Sequence, residues 1–212
     1  IDLLTVLSPK LDNERVAREA RQSGQAPFIK DYLEQVQDAN LLQVNETLNT
    51  LYIEEDDYQA LRTSIEHFNN FDHLALAKQL EGHDLLEFRR ISASLYKAKK
   101  QWANSIELSK HDKLYKDAME TAADSESQES AEDLLKFFVD NSLADCFAAC
   151  LYTCYHLIRL DVALELAWSK KIMDMAMPFL VQVLREYTSK VDDLVNRQKE
   201  EEQLKKQEKE KA

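Results

Sequence analysis

The sequence is short of the two residues that turn a chain sharply, with 2 glycines and 3 prolines among 212 residues. Hairpins and phosphate-cradling loops draw on glycine for left-handed backbone and on proline for preset turn geometry. Their scarcity argues against sheets and leaves no glycine-rich phosphate loop. Positive charge is also in short supply: 27 Lys and Arg face 39 Asp and Glu, a formal net charge of −12. An acidic surface repels nucleic-acid phosphates and anionic lipid headgroups, and no basic patch is segregated to offset it. Neither nucleic acid nor direct membrane contact is expected. Long apolar runs are missing too. The most apolar stretch, Cys146 to Ile158, is 13 residues long and contains Thr153 and His156; a membrane span needs about 20. A buried helix accounts for it, and nothing reads as a signal peptide.

The three cysteines, Cys146, Cys150 and Cys154, stand four apart, a row on one helix face. Such neighbours bridge poorly, and a secreted disulfide framework would scatter its cysteines. The expectation is free thiols in a reducing, cytoplasmic setting, packed as small hydrophobes. A zinc site needs four converging ligands, which one helix face bearing Phe147, Leu151 and Tyr152 does not supply. Asn45-Glu46-Thr47 has the form of a glycosylation sequon, silent in that setting. Five dispersed histidines form no metal-binding pair, and Glu54-Glu55-Asp56-Asp57 lacks the alternation and glycine of a calcium loop. No nucleophile stands near a base. The expectation is a chain that is not an enzyme and takes no cofactor.

What is abundant is helix-forming: Ala, Leu, Glu, Lys and Gln. The apolar period predicts helices near 10–23, 26–37, 41–52, 55–68, 72–82, 84–98, 101–110, 113–123, 127–140, 143–157, 161–170 and 174 to about 205. Asp72 and Asp161 stand where N-caps belong. The acidic run 54–57 complements a helix dipole, and Gly82 reads as a stop. Starts near 72, 101, 127 and 161 recur about every 30 residues, each unit being two short antiparallel helices. Pairs that short bury their apolar faces only by stacking on neighbours, the signature of an α-α superhelix or solenoid.

The final helix differs. Met173, Met177, Leu180, Leu184, Tyr187, Val191 and Leu194 are spaced 4, 3, 4, 3, 4, 3, a heptad seam. Pro178 falls near the helix start, where it costs least. From Arg197 to Lys211 both charge signs mix and almost nothing remains to bury. Residues 173–184 have a second possible use, packing on the preceding repeat. No chain follows that would cover Tyr187, Val191 and Leu194, so a partner helix is expected there. Two architectures remain open on the residues alone: an oligomer joined through this seam, or a monomeric helical-repeat adaptor whose last helix folds back as a cap and whose concave face takes a peptide or helix.

Several runs resemble one family. Val44-Asn45-Glu46-Thr47-Leu48-Asn49, Glu55-Asp56-Asp57-Tyr58-Gln59-Ala60-Leu61-Arg62-Thr63-Ser64-Ile65, Glu87-Phe88-Arg89-Arg90-Ile91 and Leu114-Tyr115-Lys116-Asp117-Ala118-Met119 are similar to the proximal leg of the clathrin heavy chain. Cys146-Phe147-x-Ala149-Cys150-Leu151-x-Thr153-Cys154-Tyr155 and Ile172-Met173-Asp174-x-Ala176-Met177-Pro178 follow in the same order, and Val6-Leu7-Ser8-Pro9-x-Leu11-Asp12 agrees. The resemblance implies a structural coat segment. Residues 1–171 would be a helical-repeat solenoid ending the proximal leg, and 172–212 a trimerisation helix at the vertex of a three-legged triskelion. Implied partners are two further copies of the chain (a homotrimer), the clathrin light chain at contact residues that have no motif, and other legs of the cage. The implied place is the cytoplasmic face of coated pits and vesicles, with membrane reached only through adaptors that this segment does not bind. The implied trimer contacts are Cys154, Met173, Met177, Leu180, Leu184, Tyr187, Val191 and Leu194. The family's adaptor-binding propeller and distal leg, and its chaperone-recruiting tail, lie outside this sequence.

Overall fold

The computed structural model describes residues 11–210, without the side chains of 201–210. Among the described residues there are twelve α-helices, two short 3₁₀ segments and no strand. The expected all-α helical-repeat fold is therefore the observed one. The predicted run at residues 6–12 and the predicted helix start at residue 10 fall largely outside the described residues.

The helices form two compact units, with the division at residues 108 and 109. The first contains α1 (Asn13–Gln22), α2 (Lys30–Val36), α3 (Leu42–Glu54), α4 (Tyr58–His67), α5 (His73–Glu81) and α6 (Leu86–Ala98). The boundary falls within α7 (Trp102–His111). The second contains α8 (Tyr115–Asp124), α9 (Gln128–Asp140), α10 (Ala144–Thr153), α11 (Leu160–Ser169) and α12 (Met173–Glu210).

In the first unit consecutive helices pack in pairs, α5 on α6 most extensively. Tyr32, Leu33, Leu48, Leu61, Leu80 and Phe88 are fully buried there. Polar side chains join the pairs. Gln37 donates to the Ser64 hydroxyl at 2.8 Å, and Ser64 donates to the Asn49 side-chain oxygen at 3.1 Å. All three are buried, so each would cost free energy if unpaired. The sequon residue Asn45 is wholly buried and donates to Asn40 and to the Asn70 carbonyl. Its burial excludes glycosylation of the folded chain.

Helix ends follow the expected chemistry at some positions. The Asp72 carboxylate accepts from the Leu74 and Ala75 amides, both at 3.0 Å, and Asp57 accepts from Ala60 at 2.9 Å. Gly82 ends α5 as expected, with an ordinary negative φ. Asp161 corrects the expectation. Arg159 is the N-cap residue of α11, without a side-chain cap, and Asp161 lies inside the first turn, ion-paired with Arg159. That guanidinium holds the carboxyl below the usual carboxylate range.

The inter-helix corners explain how a chain nearly free of glycine turns so often. Asp56, Lys100, Lys113, Ser142 and Lys171 all adopt left-handed backbone with φ between 57° and 60°. Each donates its amide back to the carbonyl three residues earlier, and the next residue donates five back. Examples are Leu114 to Ser109 at 2.8 Å, Leu143 to Phe138 at 2.9 Å and Ile172 to Ala167 at 2.9 Å. This double bond satisfies the orphan carbonyls of a helix end and is usually built on glycine. Only Gly24, at φ 69°, fills the position that way here.

Candidate oligomerisation surface

Helix α12 is where the second unit stops being self-sufficient. It packs on α10 and α11 by turning Ala176, Phe179, Leu180 and Val183 inward, all of them buried. Phe179 is the anchor. It makes edge-to-face contacts with Tyr152 and Tyr155, with ring centroids 6.4 and 5.4 Å away. Such pairs add ~0.5–1.5 kcal/mol beyond the area they cover. Pro178 is the sixth helical residue, so the only donor it removes is one that would reach the Asp174 carbonyl near the helix start.

Beyond Val183 none of the described side chains of α12 is buried. Leu184, Tyr187, Val191 and Leu194 are 54–58 % exposed, and Met177, Val181 and Val195 are exposed as well. Together they form an apolar strip. At 100° per residue, Met177, Val181 and Val195 lie about 110–150° from the inward face, whereas Tyr187, Val191 and Leu194 continue that face and its flank past the point where the body ends. Isolated apolar residues on a surface are ordinary, but a contiguous row signals an interaction site. The flanking positions carry both charge signs, and the Lys190 ammonium lies 5.8 Å from the Tyr187 ring centre.

Against the predicted set, the chain divides the residues. Met177, Leu184, Tyr187, Val191 and Leu194 are on the exposed strip, and Met173 is half-buried. Leu180 and Cys154 lie inside the unit, where the Cys154 thiol contacts the Met119 carbonyl at 3.7 Å. Two strip residues escape a strict heptad reading, Val181 and Val195. Counting from Met177 in steps of four and three through 181, 184, 188, 191 and 195 finds both. Trp168 on α11, 73 % exposed, is a further large apolar surface that the seam does not announce.

One polar cluster sits at the root of the strip. Glu186 is the single residue between 184 and 200 that is half-buried rather than exposed. Gln182 donates to its carboxylate at 3.4 Å. The Tyr155 hydroxyl beside it, more than Gln182, holds that carboxyl below the usual range. Burial, reinforced by Glu186, pushes the Tyr155 phenol up to about 12. The row of thiols is free, with Cys150 and Cys154 buried and Cys146 half-buried. Burial and the Asp145 charge push the Cys146 thiol up. Among the described residues, no group of three or more His, Cys, Asp or Glu is placed to hold a metal. Nor is any helix among them long and apolar enough to cross a membrane.

Residues 4–146 match the family model described as a region in clathrin and VPS. The chain is 56 % identical over 193 residues to the clathrin heavy chain of Drosophila melanogaster, covering 91 % of this chain and 12 % of that protein. It is 50 % identical over 210 residues to the clathrin heavy chain of Dictyostelium discoideum, covering 97 % and 12 %. With clathrin heavy chain 2 of Homo sapiens it shares 53 % over 193 residues, covering 91 % and 12 %. The chain thus spans about an eighth of the length of these relatives. With its all-helical repeats and a family match across more than half its length, the chain belongs to the clathrin heavy chain family.

Proposed function

We propose that this chain is a non-catalytic structural segment of a clathrin-type vesicle coat. Residues 1–171 serve as the end of a helical-repeat leg, and residues 172–212 as the helix through which three copies join at a vertex. The observation that supports this is the apolar strip of α12, exposed along Met177, Leu184, Tyr187, Val191 and Leu194. Fully covering one apolar side chain stabilises by ~1.5–3 kcal/mol. These five are about half covered already, so the remainder contributes about 4–8 kcal/mol per protomer. Association itself costs ~4–15 kcal/mol. The strip alone therefore supports a weak trimer, and further contacts between legs strengthen it. Leu180, buried against the body, and Cys154, whose thiol faces the Met119 carbonyl, belong to the unit that supports the helix, and half-buried Met173 begins it.

On the same reading a clathrin light chain lies along the leg, other legs interweave with it in the cage, and the assembly works in vesicle-mediated transport and endocytosis at the cytoplasmic face of coated pits and vesicles. Membrane is reached through adaptors that bind elsewhere on the heavy chain. The test is solution mass by analytical ultracentrifugation at tens of micromolar. Three copies are expected for the chain and one for Leu184→Asp combined with Leu194→Asp. A monomer at all concentrations refutes vertex formation by this segment and favours the helical-repeat adaptor. An unchanged trimer in the double variant refutes the role of the strip.

A further inference from the structure

We propose that a groove along α4 binds a short, extended, basic segment of a partner protein, and that the Gln37 side chain pairs with the main chain of that segment. The groove has a volume of about 390 Å³ and lies wholly within the first unit. One of its sides is a face of α4 formed by Ala60, Thr63, Ser64 and His67. At 1.5 Å per residue that face runs about 10 Å, the span of about three extended residues. Tyr52 of α3 and Ala60 supply apolar wall, and Gln37, the first residue of the 3₁₀ turn Gln37–Ala39, also lines the groove.

Gln37 is only 6 % exposed, yet it reaches this open space. One of its amide hydrogens goes to the Ser64 hydroxyl, and Ser64 in turn donates to Asn49, which pins the amide in place. Among the described residues its side-chain oxygen accepts no hydrogen bond, and its second amide hydrogen makes none. A primary amide held this way offers one acceptor and one donor, the complement of a main-chain N–H and C=O. A buried polar group left half-satisfied is costly unless something pairs with it.

The rest of the groove favours a donor-rich, cationic occupant. His67 Nδ1 lies 2.9 Å from the Thr63 carbonyl. A carbonyl only accepts, so that nitrogen carries the proton and the neutral ring keeps Nε2 as an acceptor. Charge agrees. Residues 30–68, which include every residue lining the groove, contain nine Asp and Glu against two bases, Lys30 and Arg62. Both bases are already ion-paired, with Glu55 and Glu66. An acidic or phosphate-bearing occupant is repelled there, and one carrying Lys or Arg is drawn in.

The site does not rest on the vertex reading and is tested without it. The full chain is used to probe an array of short random peptides blocked at both ends. The strongest binders are then titrated in solution by fluorescence anisotropy, and melting curves check that each variant is folded. Binders rich in Lys and Arg are expected. Thr63 is exposed, so Thr63→Lys is expected to weaken them about tenfold and Thr63→Glu to tighten them severalfold, with melting unchanged. Ala60→Trp, which fills the groove and removes no side-chain hydrogen bond, is expected to abolish binding. Gln37→Met, which keeps the length and removes the amide, is expected to weaken it about tenfold. No binder above background, binders without a basic preference, or binding indifferent to Ala60→Trp overturns the site. Binding lost in Ala60→Trp but untouched by Gln37→Met overturns the main-chain pairing. If Gln37→Met does not fold, the Thr63 pair and Ala60→Trp decide the site.

Discussion

The Ser92 hydroxyl donates to the Ala77 carbonyl across 2.7 Å, a buried bond that ties α6 to α5 within one repeat pair. Ser92 has no exposed surface, and Ala77 is wholly buried as well, so two small residues let the helices approach. The carbonyl already belongs to the α5 ladder, so losing the serine leaves no orphan acceptor. Ser92→Ala is therefore expected to cost only ~1 kcal/mol. Ser92→Val, which pushes methyl groups into a filled interface, should cost ~2 kcal/mol or more. Urea unfolding of the three proteins ranks them; equal midpoints would mean that the contact contributes nothing.

The left-handed corners predict a gain rather than a loss. Ser142, exposed at φ 58° between α9 and α10, holds backbone that a non-glycine residue adopts at a cost of ~1–2 kcal/mol. Ser142→Gly relieves that cost but loosens the unfolded chain, for a net stabilisation of about 0.5–1 kcal/mol. Thermal melts should move upward. Ser142→Val at the same corner should move them down, because a β-branched residue fits left-handed backbone worst.

Thiol chemistry should follow burial. Cys146 is half-buried and Cys150 and Cys154 are buried. A bulky disulfide reagent is expected to titrate one thiol promptly in the native protein, and the other two only as fast as the second unit opens. Three equally fast thiols would mean that α10 is not held against α12 as described.

Alkaline conditions should weaken the fold through its tyrosines. Burial, with the Glu81 hydrogen bond second, pushes the Tyr96 phenol from 10 up to about 12. Its hydroxyl donates to Glu81 at 2.8 Å. A phenol whose folded pKa is raised binds its proton more tightly in the native state. Its contribution is whole below pH 10 and lost as pH climbs from 10 toward 12. Stability should fall across that interval, and Tyr96→Phe should flatten part of the decline. Absorbance at 295 nm follows phenolate formation, and Tyr96 should ionise late or together with unfolding.

Much of this was legible beforehand, and particular residues mark the limit. Asp72 was readable as a cap because an acidic residue preceded an apolar period. Asp161 had the same local look, yet Arg159 two residues earlier captured its carboxylate and the helix began sooner. The corners were only half legible. Periodicity located them, but their left-handed residues are lysine, serine and aspartate, where a reader looks for glycine. The seam mixed two jobs. Leu180 keeps the heptad spacing and yet faces α12's own unit, because the first three turns of that helix have an inward face as well as an outward one. Spacing alone does not tell which of two neighbouring faces a residue serves.

That Val183 is the last buried residue of α12 among its described side chains has a mechanical consequence. The 27 helical residues from 184 to 210, rising about 1.5 Å each, reach some 40 Å beyond their support. A cantilever of that length amplifies small errors at its base: tilting the root by about 5° swings the tip through roughly 3.5 Å, more than half the pitch of the helix. In the proposed trimer, aligning one rod with its sisters therefore demands stiffness at the foot, where a handful of contacts around Phe179 must resist torque collected along the whole arm.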